Sequence, residues 1–309
     1  MKKIIPTLLA VIIFLAAYAY YCYYEKTYEV PEDETIYVWQ LEKNKITHID
    51  ITHENQSIQL VRDGQSWNIT QPIEFPADDF NVNTLLGRFN TLQATAFVEE
   101  NSSHLSNYGV DSSKTSITFT DDEGNSNTLI LGNEAPLSKG IYVYNKNNNS
   151  IYTISSRLLE DLSFDLDFFR DKILLSFKKE YIEKIKIENE GKTFEIQLKD
   201  DQWYSNDRTL DEASVRSLIT VLNTRKISEF VKDNASEKDL EKYGLKNPRT
   251  SITIYLYDSD NSTLNLYLGN IEDTFTYASR DKKFIYKISS SSLLSNDLSV
   301  ENFYIKNKE

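Results

Sequence analysis

Between residues 46 and 290 the chain repeats itself. Ile46-Thr-His-Ile-Asp-Ile51 aligns with Ile182-Glu-Lys-Ile-Lys-Ile187, and Trp67 with Trp203, both at an offset of 136. Val82, Leu85, Asn90 and Thr91 match Val215, Leu218, Asn223 and Thr224, and Phe97-Val98 with Asn101 match Phe230-Val231 with Asn234. Leu105-x-x-Tyr108-Gly109 matches Leu240-x-x-Tyr243-Gly244, and Thr115-Ser-Ile-Thr118 matches Thr250-Ser-Ile-Thr253. Leu129-x-Leu-Gly132-Asn133 matches Leu266-x-Leu-Gly269-Asn270, and Ile151-Tyr152 matches Ile285-Tyr286. The offset stays between 133 and 137 throughout, so the fold is one that a chain can build twice. A length of 309 residues accommodates two ordinary domains but not comfortably three.

Each copy reads locally as α+β. Ile46, Ile49 and Ile51, then Ile58, Leu60 and Val61, are short apolar segments around a polar turn, which predicts a hairpin; Asp63-Gly64 is the next turn. Val82, Leu85, Leu86, Phe89 and Leu92 switch to helical spacing and predict one amphipathic helix over 79–93. Its counterpart carries Val215, Leu218, Ile219 and Leu222 behind the first-turn acids Asp211 and Glu212. Ser236–Tyr243 predicts a short helix with Gly244 at its C′ position. Residues 117–120, 129–131, 141–144 and 151–154 read as strands between Asp, Asn and Gly turns, and 156–162 as a closing helix. Short connections imply a mainly antiparallel sheet with one or two packed helices in each copy.

The N-terminus has a different character. Lys2 and Lys3 precede an uncharged run from Ile4 to Tyr24. At 1.5 Å per residue it reaches about 32 Å, close to the ~30 Å hydrocarbon thickness of a bilayer. Pro6 falls in the first turn, where its missing N–H costs least, and Tyr18, Tyr20, Tyr21, Tyr23 and Tyr24 resemble an interfacial aromatic belt. The sequence therefore predicts a single transmembrane helix with a cytoplasmic N-terminus and the bulk of the chain outside the cytoplasm. Ala17-Tyr18-Ala19 fits a signal-peptide cleavage pattern, but the apolar run continues five residues beyond it, which favours a retained anchor. Acylation of Cys22 is disfavoured by bulky Tyr21 before it; the thiol reads as a small hydrophobe.

The expected organisation is a cytoplasmic stub and membrane anchor at 1–24 and an acidic tether at 25–35. Repeat units at 36–170 and 171–306 and a tail at 307–309 follow. Phe168-Phe169-Arg170-Asp171-Lys172 runs directly into the strand-like Ile173–Phe177, so the two units are expected to pack rigidly. Without Lys2 and Lys3, 32 of the 34 basic residues face 47 acids, a net charge of −15 that repels phosphate backbones and argues against nucleic acid.

The repeat resembles the bacterial domain-of-unknown-function 4340 family. Gln65-Ser66-Trp67, Tyr108-Gly109-Val110, Thr128-Leu-Ile-Leu-Gly-Asn133, Gly140-Ile-Tyr-Val-Tyr144, Ile151-Tyr152 and Phe169-Arg170-Asp171-Lys172 carry the likeness, which covers nearly all of 36–306. The second unit departs from it: Ile271–Phe275 replaces the longer Glu134–Gly140 stretch. The resemblance implies an anchored exported protein, associated with ABC transporters of the gliding-motility type through a permease or ATPase. It implies no catalytic residues.

Candidate chemistry is sparse. His48 and His53 are five residues apart, but Lys184 stands opposite His48 in the second copy and Asp239 opposite His104, which reads as surface rather than ligand. Asp121-Asp122-Glu123-Gly124-Asn125 and Asp258–Ser262 read as hairpin turns rather than calcium loops. Asp165 and Asp167, with Glu160-Asp161 one turn earlier, are expected to face outward from Phe164, Leu166 and Phe168. Trp67 and Trp203 are expected in equivalent core positions, while the Tyr108-Gly109, Tyr243-Gly244, Gly132 and Gly269 positions are expected to meet backbone demands. The candidate partner loop is Lys139, Gly140, Tyr142 and Tyr144. The expected function is a non-catalytic auxiliary or scaffold of a membrane complex, with no cofactor and no metal. The alternative is a cell-envelope ligand- or polymer-binding module, and an envelope hydrolase ranks below both.

Overall fold

The computed structural model describes residues 5–27, 35–136, 140–257, 262–290 and 298–305, with side chains in the first helix described over 11–23. After α1 (Ile5–Thr27) come β1 (Tyr37–Gln40), β2 (Ile46–His53), β3 (Gln56–Asp63), β4 (Ser66–Gln71), β5 (Phe75–Pro76) and α2 (Asp79–Phe89). The first copy continues through β6 (Thr91–Gln93), β7 (Ala96–Glu100), β8 (Thr115–Asp121), β9 (Ser126–Glu134), β10 (Ile141–Asn145), β11 (Ser150–Ile154) and α3 (Leu166–Phe169). The second contains β12 (Ile182–Asn189), β13 (Lys192–Lys199), β14 (Gln202–Ser205), β15 (Arg208–Thr209) and α4 (Glu212–Thr224). It is completed by β16 (Ile227–Lys232), α5 (Glu237–Lys242), β17 (Thr250–Leu256), β18 (Thr263–Glu272), β19 (Phe275–Ser279) and β20 (Ile285–Ser289).

Two nine-stranded sheets result, ordered β5-β4-β3-β2-β8-β9-β10-β11-β7 and β15-β14-β13-β12-β17-β18-β19-β20-β16. The second order is the first, strand for strand. The pairings along both sheets are antiparallel, so the α+β expectation with two tandem modules holds. A register shift between Ile46 and His48 in β2, and between Ile182 and Lys184 in β12, explains the spacing of the buried isoleucines. Ile46 to Ile49, and Ile182 to Ile185, is three residues rather than two because a bulge consumes one. Val82, Leu85, Leu86 and Phe89 of α2 are buried, as are Val215, Leu218, Ile219 and Leu222 of α4, so each helix contributes one apolar stripe to a core.

Two compact units form, Met1–Ser57 with Asn83–Phe164 and Ile58–Val82 with Asp165–Glu309. The segment carrying β3, β4 and β5 thus belongs with the second half of the chain. The reason lies in the side chains of Phe75 and Arg170 described below.

Three local expectations are corrected. The helix expected over 79–93 stops at Phe89; Leu92 is buried from β6, which pairs with β1, so its place in the helical spacing is coincidental. The helix expected at 156–162 is one 3-10 turn, Ser156–Leu159, after which Glu160 leaves helical geometry with ψ 133° and Asp161 has φ +59°. Residues 173–177 form no strand; Ile173 makes a single bridge to Lys226, and Leu174 N–H donates to Arg225 O at 2.8 Å.

Side chains 11–23 of α1 are all exposed, including Val11, Ile12, Ile13, Phe14 and Leu15. They cover only about 20 Å. Among the described residues no helix is long and apolar enough to cross a membrane.

Candidate functional site

The two most strongly repeated motifs meet in space. The 3-10 turn Leu105–Tyr108 ends at Gly109, whose φ of +69° would strain any other residue. The space where a Cβ would stand on Gly109 is filled by the Asn133 side chain, and on Gly132 by the Tyr108 carbonyl oxygen. In the second copy Asn270 fills that space at Gly244 and the Tyr243 oxygen fills it at Gly269. Asn270 N–H donates to Tyr243 O at 3.0 Å and its Nδ2 to Lys242 O at 3.1 Å. Gly132 and Gly269 are therefore required for close backbone approach, not for conformational freedom.

Tyrosines pack over each junction. The Tyr108 ring meets Tyr142 edge-on at 5.0 Å, and its hydroxyl donates to Glu99 Oε2 at 2.7 Å. That bond holds the Glu99 carboxyl below its ordinary range and pushes the Tyr108 hydroxyl up. In the second copy Tyr243 meets Tyr277 at 4.6 Å; Tyr277 donates to Glu272 Oε2 at 2.7 Å, with Lys287 Nζ 2.8 Å from the same oxygen.

Beside each junction lies a cleft. The first encloses about 440 Å³ between His53, Lys114, Thr115, Asn133, Glu134 and Phe164. The second encloses about 510 Å³ between Gly244, Asn247, Arg249, Gly269, Asn270 and Ile271. A basic residue occupies the same place in both. Lys114 Nζ is 3.7 Å from Glu54, and burial lowers the Arg249 pKa while the charge of Glu190 opposes it. Glu54 and Glu190 are equivalent turn residues with φ of 52° and 48°. Basic and amide side chains, Lys114 with Asn133 and Arg249 with Asn247 and Asn270, line the two clefts.

His53 has a structural role. Its Nδ1 is 2.8 Å from Thr115 Oγ1, and its half-buried ring lies 5.8 Å from that of Phe164. In the second copy Asn189 accepts from Thr250 Oγ1 at 2.6 Å and donates to Leu298 O at 2.9 Å. A histidine interchangeable with asparagine is bridging strand ends, although it is more buried than a surface reading expects. His48 and His104 are exposed beside Thr47 and Ser103.

In the expected partner loop, Lys139 lies outside the described residues. Gly140 is buried against the Ile154 carbonyl with φ +110°, Tyr142 packs on Tyr108, and Tyr144 donates to Asn149 Oδ1 at 2.9 Å. Both tyrosines are engaged with residues of adjoining turns. Ile4 and the Asp258–Asn261 turn also lie outside the described residues, as do the side chains of Pro6 and Tyr24; Tyr18, Tyr20, Tyr21 and Tyr23 are exposed on α1. Asp121 accepts from the Glu123 and Asn125 N–H groups at 3.0 and 2.8 Å, the geometry of a tight turn. Trp67 is buried, whereas Trp203 is half-buried in a recess with Ile219 and Arg216. Glu160, Asp161, Asp165 and Asp167 are exposed. Among the described residues no group of three His, Cys, Asp or Glu could hold a metal ion.

Sequence reasoning did not anticipate the burial of Arg170, which is 1% exposed. Its guanidinium pairs with Asp167 at 3.0 Å and Asp233 at 2.6 Å and lies over Phe230 at 4.4 Å and Phe75 at 5.4 Å. Phe75 also meets the rings of Phe230 and Phe284 at 5.6 and 5.3 Å. Arg280 stacks on Phe75 and donates to the Tyr286 hydroxyl at 3.2 Å, while burial pushes the Tyr286 pKa up to about 12. The available signal was a departure from the repeat: Arg170 stands where the second copy has Tyr304, as the bridges Ala77 to Arg170 and Leu210 to Tyr304 show.

The family model described as Domain of unknown function (DUF4340) matches residues 67–238 and again residues 206–307. No curated protein matches the chain, and no solved structure does.

Proposed function

The chain belongs to the DUF4340 family of domains of unknown function, and from that premise we propose that it is a non-catalytic auxiliary or scaffold. It is held to the cell membrane by α1, with both modules outside the cytoplasm, and works by contact within an ABC-type transport complex. The observation that carries this reading is α1 itself: 23 helical residues whose described side chains, largely apolar and aromatic, are exposed on every face. Covering such a helix with lipid or with partner helices removes apolar surface from water. A single helix forms no transport path, so a transport role requires the helices of a permease. The family resemblance supplies the ABC association by analogy.

Two measurements test it. Protease added to intact cells or spheroplasts should digest the modules, and protection would refute the topology. Crosslinking followed by purification in mild detergent should recover a permease. A monodisperse monomer with no membrane partner, but with affinity for a glycan or peptide, would instead favour the envelope-binding module. The paired clefts beside Asn133 and Asn270 are the observation that keeps this second reading alive.

A further inference from the structure

In the second unit the face of β16 is covered. The Phe230 ring carries the Arg170 guanidinium at 4.4 Å, meets Phe75 at 5.6 Å and backs onto Tyr286 at 5.9 Å. Asp233 fixes Arg170 from the same strand end at 2.6 Å. One ring and one guanidinium thus seat on an aromatic pair flanked by a carboxylate.

The receiving half exists again in the first unit. The repeat places Phe97 at the position of Phe230, Tyr152 at that of Tyr286 and Glu100 at that of Asp233. Phe97 and Tyr152 make the same edge-on pair at 5.6 Å, and β7, like β16, is an edge strand. Phe97 nevertheless remains 49% exposed and Glu100 is exposed.

The inserting half also exists again. Arg208 of β15 stands at the position of Phe75, and Tyr304 at that of Arg170, because Asp78 N–H donates to Phe169 O at 2.8 Å and Asp211 N–H to Phe303 O at 2.7 Å. Ring and cation have exchanged places. The Arg208 guanidinium lies 3.7 Å from the Tyr304 ring centroid. Arg208 is exposed, and the adjoining Ile305 is 57% exposed.

We propose that the chain self-associates head to tail, the Phe97–Glu100 face of one molecule receiving the Arg208–Tyr304 pair of a second copy. The match is chemical: an aromatic pair and a carboxylate accept a guanidinium and a ring, as they already do at Phe230 and Asp233. The acidic segment ahead of β1, with Glu29, Glu32, Asp33 and Glu34, is the competing occupant, but it would set like charge against Glu100. The two patches differ, so the contact is heterologous and generates rows or rings of the protein. The inference does not depend on the transporter reading.

The test uses full-length protein in vesicles, with Cys22→Ser removing the native thiol. Ala96→Cys chains mixed with Thr209→Cys chains should give a two-chain product with a flexible bis-maleimide, and neither variant alone should. Chains carrying both cysteines should give a ladder. Phe97→Asp and Arg208→Glu should each reduce the product by about tenfold or more, and Glu100→Arg combined with Arg208→Glu should restore it. Unchanged tryptophan fluorescence verifies that each variant folds. Absence of a mixed product, a yield insensitive to Phe97→Asp, failure of the charge exchange to restore it, or a crosslink within one chain when Ala96→Cys is combined with Glu32→Cys would overturn the proposal.

Discussion

Gly132→Ala and Gly269→Ala should destabilise the protein, while Gly87→Ala should stabilise it. A methyl group on Gly132 would overlap the Tyr108 carbonyl oxygen, with Val110 Cγ1 at 2.9 Å and the Tyr142 carbonyl at 3.2 Å. On Gly269 it would overlap the Tyr243 oxygen, with the Gly244 carbonyl carbon and oxygen at 3.0 and 3.1 Å. At the closest point the obstacle is backbone, so relief requires β9 or β18 to move away from its turn. Overpacking of this kind costs about 1–3 kcal/mol. Replacing glycine with alanine returns about 0.5–1 kcal/mol of chain entropy at an unstrained position. The balance runs from near zero to a net loss of about 2.5 kcal/mol, which lowers the melting temperature by up to about 4 °C in a chain of 309 residues at about 2.1 cal/mol/K of unfolding entropy per residue. Gly87 lies in the last turn of α2 with nothing within 4 Å of the added atom, so only the favourable part of about 0.5–1 kcal/mol remains. Thermal unfolding of the three variants in mild detergent, followed by circular dichroism, gives three signs. A stabilised Gly132→Ala, or opposite signs at Gly132 and Gly269, would refute the argument that each repeated Tyr-Gly locks against a Leu-Gly-Asn.

Arg170→Ala should cost about 2–3 kcal/mol in denaturant melts, below the about 3–5 kcal/mol of a fully buried pair because Asp167 and Asp233 are 58% and 35% exposed. Loss of less than about 0.5 kcal/mol would show that the aromatic seat holds without it. Acid should weaken the start of α4: Ser214 holds the Asp211 carboxyl below its ordinary range, so its contribution is present at neutral pH and is lost as pH falls through that lowered value. Asp171, which burial pushes up, acts in the opposite sense; Asp171→Asn should raise the midpoint at neutral pH, and the gain should vanish in acid. A pH-independent difference would contradict both assignments. His53→Asn should change stability by no more than about 0.5 kcal/mol, since Asn189 makes the equivalent bond to Thr250; a large loss would reveal a role for the ring that the second copy lacks.

The sequence alone determined the duplication, because an offset held from Ile46 to Ser290 is a property of order along the chain. It also determined which face of α2 is buried, since Val82, Leu85, Leu86 and Phe89 follow a helical period that survives any choice of neighbour, whereas the three-residue step from Ile46 to Ile49 is set by the bulge against β8. Tertiary structure decided where elements stop and what they meet. Leu92 fits the helical period, yet the strand bonds of β6 to β1 end the helix before it. The short apolar run at 173–177 has the composition of a strand but finds only one bridge. Periodicity records burial and says nothing about which backbone group satisfies which. The same limit hid the contact between Gly132 and Tyr108, 24 residues apart, and the burial of Arg170, whose partners Phe75, Phe230 and Asp233 come from distant segments. A guanidinium is stable in a core only when such partners converge, and convergence is decided in three dimensions.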